Sequence, residues 1–292
     1  MPLRETIRLL RPKQWLKNFF VLAPLIFSRT LFTDQAEIAA LKAFIIYCLV
    51  ASAVYIINDI RDVQADRAHP VKRNRPIAAG TITSSNALII VVLLLALSSI
   101  VAIGMDARFL VVMVSYFVLN IAYSLKLKEV VLLDVFIIAA GFMMRVLAGA
   151  YAIQVEVSSW IVLCTMFIAL FLGFAKRRGE IVLLDTQGGQ KERKVLSDYR
   201  VAFIDQMLTI AAAGTVISYA LYTVAVRTLE VLGTDKMIYT TVFVLYGIFR
   251  YLYLIHTGEL TENPTAALTS DPAIVVTGVL WILSCVVLIY LR

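Results

Sequence analysis

The sequence predicts an all-α integral-membrane protein, a polytopic bundle of about nine transmembrane helices. Three observations carry that prediction. Of the 292 residues, 61% are hydrophobic, and the mean hydropathy is +0.86. Apolar runs of roughly 20 residues, the length that crosses a hydrocarbon core of ~30 Å, recur down the chain. None alternates apolar and polar residues as a barrel strand does, so the backbone must satisfy its hydrogen bonds within helices.

In order, the runs are 19–33, 37–57, 86–104, 108–124, 130–150, 158–175, 202–226, 237–256 and 273–291. The first is short, and Pro24 is placed to kink it. A basic, amphipathic N-terminus precedes it. Pro24, Arg29 and Asp34 follow without a small-residue cleavage site, so this run reads as retained rather than as a signal peptide. Cys48, Cys164 and Cys285 each stand alone in an apolar run and read as packing residues, with neither a disulfide nor a metal. His69 and His256 have no third ligand at zinc spacing. Neither a tandem repeat nor a low-complexity linker divides the chain, so residues 1–292 read as one catalytic membrane domain.

A net charge of +7 can signal nucleic acid, but in a membrane protein its distribution matters more, and no nucleic-acid partner is expected. With a cytoplasmic N-terminus, one side collects Arg4, Arg8, Arg11, Lys13, Lys17, Arg61, Arg67, Lys72, Arg73, Arg75, Lys126, Lys128, Lys176, Arg177, Arg178, Lys191, Arg193, Lys194 and Arg200. The other side holds Arg29, Arg108, Arg227, Lys236 and Arg292. This bias follows the positive-inside rule, and nine crossings of the cell (inner or plasma) membrane then place the C-terminus on the opposite side. Lys42, Arg145 and Arg250 fall inside runs. Lys42 lies near an end and can snorkel. A charge at membrane depth costs ~2.5 kcal/mol or more, so Arg145 and Arg250 should face the bundle interior. Arg145 in particular needs a partner from another span.

Three polar clusters fall on the predicted cytoplasmic side. In Asn58-Asp59-Ile60-Arg61-Asp62-Val63-Gln64-Ala65-Asp66, a single helix would place Asp59, Asp62 and Asp66 on one face, with Asn58 at its edge. Like charges there call for a cation, and Mg²⁺ carrying a phosphorylated substrate suits oxygen ligands. The alternative is a solvated helix end neutralised by Arg61 and Arg67. In His69-Pro70-Val71-Lys72-Arg73-Asn74-Arg75-Pro76 the two prolines enforce a loop, and its cations suit a diphosphate. In Lys176-Arg177-Arg178-Gly179-Glu180, Lys176 and Glu180 stand at i, i+4. They form either a surface ion pair or part of a phosphate pocket.

These residues resemble the UbiA-type intramembrane prenyltransferase superfamily. The spacing of Asn58, Asp59, Asp62 and Asp66, followed by Arg67, Arg73-Asn74-Arg75-Pro76 and Gly80, looks like its first aspartate-rich signature. Tyr123-Ser124, Leu127-Lys128 and Asp134 look like its mid-chain signature. The departure lies in the second half. Members that prenylate aromatic acceptors carry a second aspartate-rich motif there. This chain has three cations and Glu180, with Asp185 not aligned to it on a helix. That pattern is similar to the branch that makes decaprenylphosphoryl-phosphoribose. Arg11-Pro12-Lys13-Gln14-Trp15, Lys17-Asn18 and the Gly258–Thr265 stretch also look like that branch.

The resemblance implies Mg²⁺-dependent transfer of 5-phosphoribose from phosphoribosyl diphosphate (PRPP) to a polyprenyl phosphate such as decaprenyl phosphate, a precursor step for cell-envelope arabinose donors. Asp59, Asp62 and Asp66, with Asn58, would hold Mg²⁺ on the diphosphate. Lys17, Arg67, Arg73, Arg75 and Lys128 would neutralise it, with Tyr123 beside them. Lys176, Arg177 and Glu180 would orient either the 5-phosphate or the lipid phosphate. The lipid phosphate is already anionic and needs no general base, whereas holding two anions together calls for extra cations. Partners are thus PRPP, the lipid acceptor and the bilayer, and a homo-oligomer stays open. Two other functions fit less well: prenyl transfer to an aromatic acceptor and, more distantly, membrane transport.

Overall fold

The computed structural model describes residues 3–187, 198–257 and 270–291. The protein is all-α, with no strand among the described residues. The helices are α1 (Leu3–Leu10), α2 (Ala23–Phe27), α3 (Asp34–Arg61), α4 (Val63–Ala68), α5 (Ser84–Val101), α6 (Ala107–Leu125), α7 (Leu133–Ala152), α8 (Ser159–Gln187), α9 (Val201–Val224), α10 (Val226–Leu232), α11 (Thr241–Thr257) and α12 (Pro272–Tyr290). Short 3₁₀ segments at Pro12–Leu22, Lys72–Asn74, Leu127–Glu129 and Lys236–Thr240 lie between them.

Eight helical stretches among the described residues are long and apolar enough to cross a membrane. They match eight of the nine expected runs. The ninth, 19–33, is no uninterrupted α-helix: it shares the 3₁₀ segment Pro12–Leu22, continues as the five-residue α2, and then turns. Arg11 in a left-handed conformation and Pro12 at the first helical position set that start.

The chain forms two compact units. One comprises Met1–Leu25, Thr30–Leu127 and Met144–Glu156; the other comprises Ile26–Arg29, Lys128–Met143 and Val157–Arg292. In the first unit α3 is the centre. Its Ala43, Ile46, Tyr47, Val50, Ala53 and Ile56 are buried among Val21, Phe109, Tyr116, Ile77, Ile82 and Val91. Small residues such as Ala43, Ala51, Ser52 and Ala53 let neighbouring backbones approach, as membrane helix packing requires. Gly149 of α7 does the same for the 3₁₀ segment: a Cβ there would stand 1.9 Å from the Val21 carbonyl oxygen. Thr83 and Asp106 cap α5 and α6 by accepting from Asn86 N and Arg108 N. Leu88, Val92 and Leu93 of α5 and Val111, Val114 and Val118 of α6 remain exposed, an apolar surface suited to lipid.

The same unit resolves Arg145. Its Nε donates to Asn18 Oδ1 at 2.8 Å, one terminal nitrogen donates to Tyr116 Oη at 2.7 Å, and the guanidinium lies 4.7 Å from the Tyr116 ring centroid. The partners come from other elements, as membrane depth demands, and they hold the 3₁₀ segment in place. Trp15 Nε1 to Ser52 Oγ at 3.0 Å and Asn18 Nδ2 to Cys48 Sγ at 3.3 Å complete that attachment.

In the second unit α8 and α9 pack along each other, with Gly214 against the Phe167 ring. Tyr219 bonds Thr240 at 2.6 Å and accepts from Trp281 Nε1 at 2.9 Å. Arg250 reaches Asp271 Oδ2 at 2.8 Å, and Asp271 also caps α12 through Ile274 N at 2.9 Å. The second intramembrane arginine therefore has a carboxylate partner at a neighbouring helix start.

Candidate active site

The first polar cluster lies in the first unit. Asp59 stands in the last turn of α3, and Asp66 stands in α4. The expectation of one continuous helix needs correction, because the helix is interrupted at Asp62 (φ −88°, ψ 10°). Backbone bonds still run through the joint, from Asp62 N to Asn58 O at 2.9 Å and from Asp66 N to Asp62 O at 2.8 Å. Asp59 and Asp66 are buried, 2% and 4% exposed, while Asp62 is half-buried at the joint.

A single nitrogen, Nη1 of Arg75, donates to Asp59 Oδ1 at 3.1 Å and to Asp66 Oδ2 at 2.7 Å. Nη2 of Arg11 donates to the same Asp59 oxygen. Arg11 has φ 53° and ψ 57°, a left-handed conformation that costs a non-glycine residue about 1–3 kcal/mol and persists where its surroundings over-determine it. Its guanidinium also lies 5.5 Å from the Tyr55 ring centroid. Asp59 and Asp66 thus share Arg75, with Arg11 on Asp59 alone, and these cations are not the ones the solvated-end alternative requires. Arg61 donates instead to the Ser124 carbonyl at 2.5 Å, at the C-terminal end of α6 where the helix dipole favours a cation. Arg67 Nε donates to Ala78 O at 3.2 Å.

The remaining predicted ligands of this unit sit as follows. Asn58 is half-buried, and its side chain makes no hydrogen bond among the described residues. Arg73 is exposed on the 3₁₀ turn, likewise without a side-chain bond. Tyr123 is half-buried near the end of α6. Lys17 is half-buried in the 3₁₀ segment that starts at Pro12.

The second cluster lies in the second unit. Arg177 of α8 is 1% exposed; its Nε donates to Asp134 Oδ2 at 2.5 Å and its Nη1 to Glu180 Oε2 at 2.5 Å. Tyr199 donates to Asp134 Oδ1 at 2.8 Å and accepts from Leu132 N at 2.6 Å. Burial pushes the Tyr199 phenol well above its ordinary range, so it stays a donor. Lys176 Nζ lies 3.9 Å from Glu180 Oε1 and is half-buried. Arg178 turns away to Asp205 at 2.7 Å and to the Ile255 carbonyl at 3.0 Å. Lys128 is half-buried on the 3₁₀ turn Leu127–Glu129.

Sequence reasoning missed three participants: Arg11 as a ligand of Asp59, the Asp134–Arg177 pair, and Tyr199. Tyr199 lies 65 residues from Asp134, and nothing local marks it. The Gly258–Thr265 stretch and Lys191, Arg193 and Lys194 lie outside the described residues.

A divalent cation fits the first cluster by donor chemistry. Two buried carboxylates converge on one positive nitrogen, and hard oxygen donors of that kind suit Mg²⁺. No group of three or more His, Cys, Asp or Glu among the described residues is gathered closely enough to hold a metal by itself. The shell would therefore draw on substrate phosphate and water, as Mg²⁺ sites commonly do.

The profile of the UbiA prenyltransferase family matches residues 19–270, and the chain belongs to that family. It is an integral-membrane transferase with the UbiA fold. It is 34% identical, over 94% of this chain and 89% of the relative, to a decaprenyl-phosphate phosphoribosyltransferase of Mycolicibacterium smegmatis. It is 35% identical, over 98% of this chain and 86% of the relative, to a protein of the same name from Corynebacterium glutamicum. Among solved structures, a UbiA homologue of Archaeoglobus fulgidus bound to GPP and Mg²⁺ matches with a TM-score of 0.71 at 19% identity, over 98% of this chain and 99% of that one.

Proposed function

We propose that this protein transfers 5-phosphoribose from PRPP to a polyprenyl phosphate and releases diphosphate. The observation that carries the reading is the second cluster. Where an aromatic prenyltransferase would need carboxylates for a second metal, Asp134 and Glu180 are both engaged by the buried Arg177, and the half-buried Lys176 stands beside Glu180. That surface suits a phosphate. The names of the near-full-length relatives support the same substrates.

In the reaction the bond from C1 of the ribose to the diphosphate oxygen breaks, and a lipid phosphate oxygen bonds to C1. The lipid phosphate is already anionic, so no residue has to take a proton from it. Asp59 and Asp66, with Asp62 and Asn58, would hold Mg²⁺, which when bound neutralises the departing diphosphate. Arg75, Arg73, Arg67 and Lys17 of the first unit supply further positive charge to the diphosphate, and Lys128 of the second unit is read as a further phosphate-binding cation. Tyr123, near the end of α6, is read as a further substrate-binding residue. Lys176 orients a phosphate, and Arg177 holds Glu180 in position and ties α8 to Asp134 of α7.

The family match runs through both units, which supports one catalytic domain over residues 1–292. The Lys and Arg bias supports a cytoplasmic N-terminus. We read residues 12–27 as a ninth crossing. Eleven 3₁₀ residues and five α residues, at about 2.0 and 1.5 Å each, approach the ~30 Å of a hydrocarbon core.

The test is purified protein offered two substrate pairs: radiolabelled PRPP with polyprenyl phosphate, and labelled prenyl diphosphate with 4-hydroxybenzoate. Label entering lipid from PRPP is the expected result. Reaction of the second pair alone would replace this reading with aromatic prenylation.

A further inference from the structure

One nitrogen of Arg75 lies between Asp59 and Asp66, and Arg11 holds the same oxygen of Asp59. Both carboxylates are buried, so the two arginines are the counter-ions that make their charge tolerable. A Mg²⁺ ion would hold those oxygens at about 2.0–2.1 Å, closer than any guanidinium approaches them. A dication and Arg75 therefore compete for the same oxygens. Arg67 and Arg73 do not compete, since Arg67 is directed to the Ala78 carbonyl and Arg73 is exposed, with no side-chain bond among the described residues.

We propose that Arg75 and Arg11 act as exchangeable counter-ions that couple metal binding to diphosphate binding. The inference rests on the reading that Asp59 and Asp66 hold the metal of a metal–diphosphate substrate. A metal arriving alone displaces two guanidinium groups that then have no anion to hold. A diphosphate arriving with the metal gives them one, because a guanidinium fork matches phosphate oxygens as well as it matches a carboxylate. The carboxylates pass from arginine to metal as the arginines pass from carboxylate to phosphate. Each ligand thereby strengthens the other, and linkage requires the factor to be the same in both directions. The arginines suppress binding of a bare dication and favour the complete donor complex.

The test uses Mn²⁺ as the probe, followed by the loss of its free-ion EPR signal on titration into the full-length protein in detergent. Inorganic diphosphate serves as the anion, and Mn²⁺–diphosphate association in solution is subtracted. In the wild type, diphosphate is expected to tighten Mn²⁺ by a factor within the roughly 5- to 150-fold range of ordinary coupling. Arg75→Gln should bind Mn²⁺ alone at least fivefold more tightly than wild type and lose most of the coupling. Arg11→Gln should do the same to a smaller degree, and it serves as the reading variant if Arg75→Gln does not fold. Arg73→Gln should leave Mn²⁺-alone binding unchanged. Weaker or unaltered Mn²⁺-alone binding in both Arg75→Gln and Arg11→Gln overturns the proposal. An equal gain in Arg73→Gln does so too, because the effect would then be a general field. No Mn²⁺ binding with or without diphosphate removes the metal reading itself. Coupling without phosphoribosyl transfer in the substrate assay would leave the exchange standing and remove only the choice of donor.

Discussion

Asp134→Asn tests whether the second cluster is held together as its geometry implies. The substitution keeps the shape of the side chain and removes its charge. Asp134 is 0% exposed, and its two oxygens accept from Arg177 Nε at 2.5 Å and from Tyr199 Oη at 2.8 Å. Removing one partner of a buried pair costs about 3–5 kcal/mol, mostly because the remaining charge is left uncompensated. Glu180 still neutralises Arg177 from 2.5 Å, so the lower end, about 3 kcal/mol, is expected. Tyr199→Phe should cost about 1–2 kcal/mol, since it also leaves the Leu132 amide without its acceptor. Reversible unfolding in mixed micelles measures both, and the double variant should show a coupling of about 0.5–3 kcal/mol. A loss below about 0.5 kcal/mol for Asp134→Asn would refute the buried-pair account, since that is the scatter of ordinary surface substitutions.

Three other predictions follow from individual contacts. Gly149→Ala should lower stability by about 1–3 kcal/mol, because its Cβ would stand 1.9 Å from a backbone oxygen that cannot yield as a side chain can; an unchanged melting temperature in detergent contradicts it. Lys17→Gln should lower kcat/KM for the diphosphate substrate about tenfold or more, since a hydrogen bond to a charged group contributes about 1.5–3 kcal/mol. Lys17→Arg should retain most of that activity, and unaltered kinetics in Lys17→Gln would remove Lys17 from the site. A cysteine added at the C-terminus should react with an impermeant thiol reagent applied from outside the cell; protection from outside and reaction only after lysis would contradict a ninth crossing.

Much of the fold was legible because its causes are local. Eight apolar runs became eight helices, since length and hydropathy alone decide whether a segment suits a bilayer. The 19–33 run was harder to read because its geometry is set from outside it. Arg11 turns left-handed toward Asp59, Asn18 meets Arg145, and Gly149 admits Val21. The aspartate motif was legible as a charged group in need of a cation. That the cation in contact is Arg75 together with Arg11 was not legible, because one partner lies 16 residues away and the other 48. The Lys176–Glu180 motif stood evenly between ion pair and phosphate pocket. The structure gives its second residue, Arg177, a third role as the buried clasp on Asp134. Sequence spacing has no access to such a contact across the fold.

The central claim is the identity of the transferred group, and doubly labelled PRPP tests it most directly. With ¹⁴C in the ribose and ³²P in the β-phosphate, the protein and polyprenyl phosphate should send carbon label into the lipid extract while the β-phosphorus label leaves as aqueous diphosphate. Carbon label that stays in water, or both labels entering lipid together, would contradict phosphoribosyl transfer.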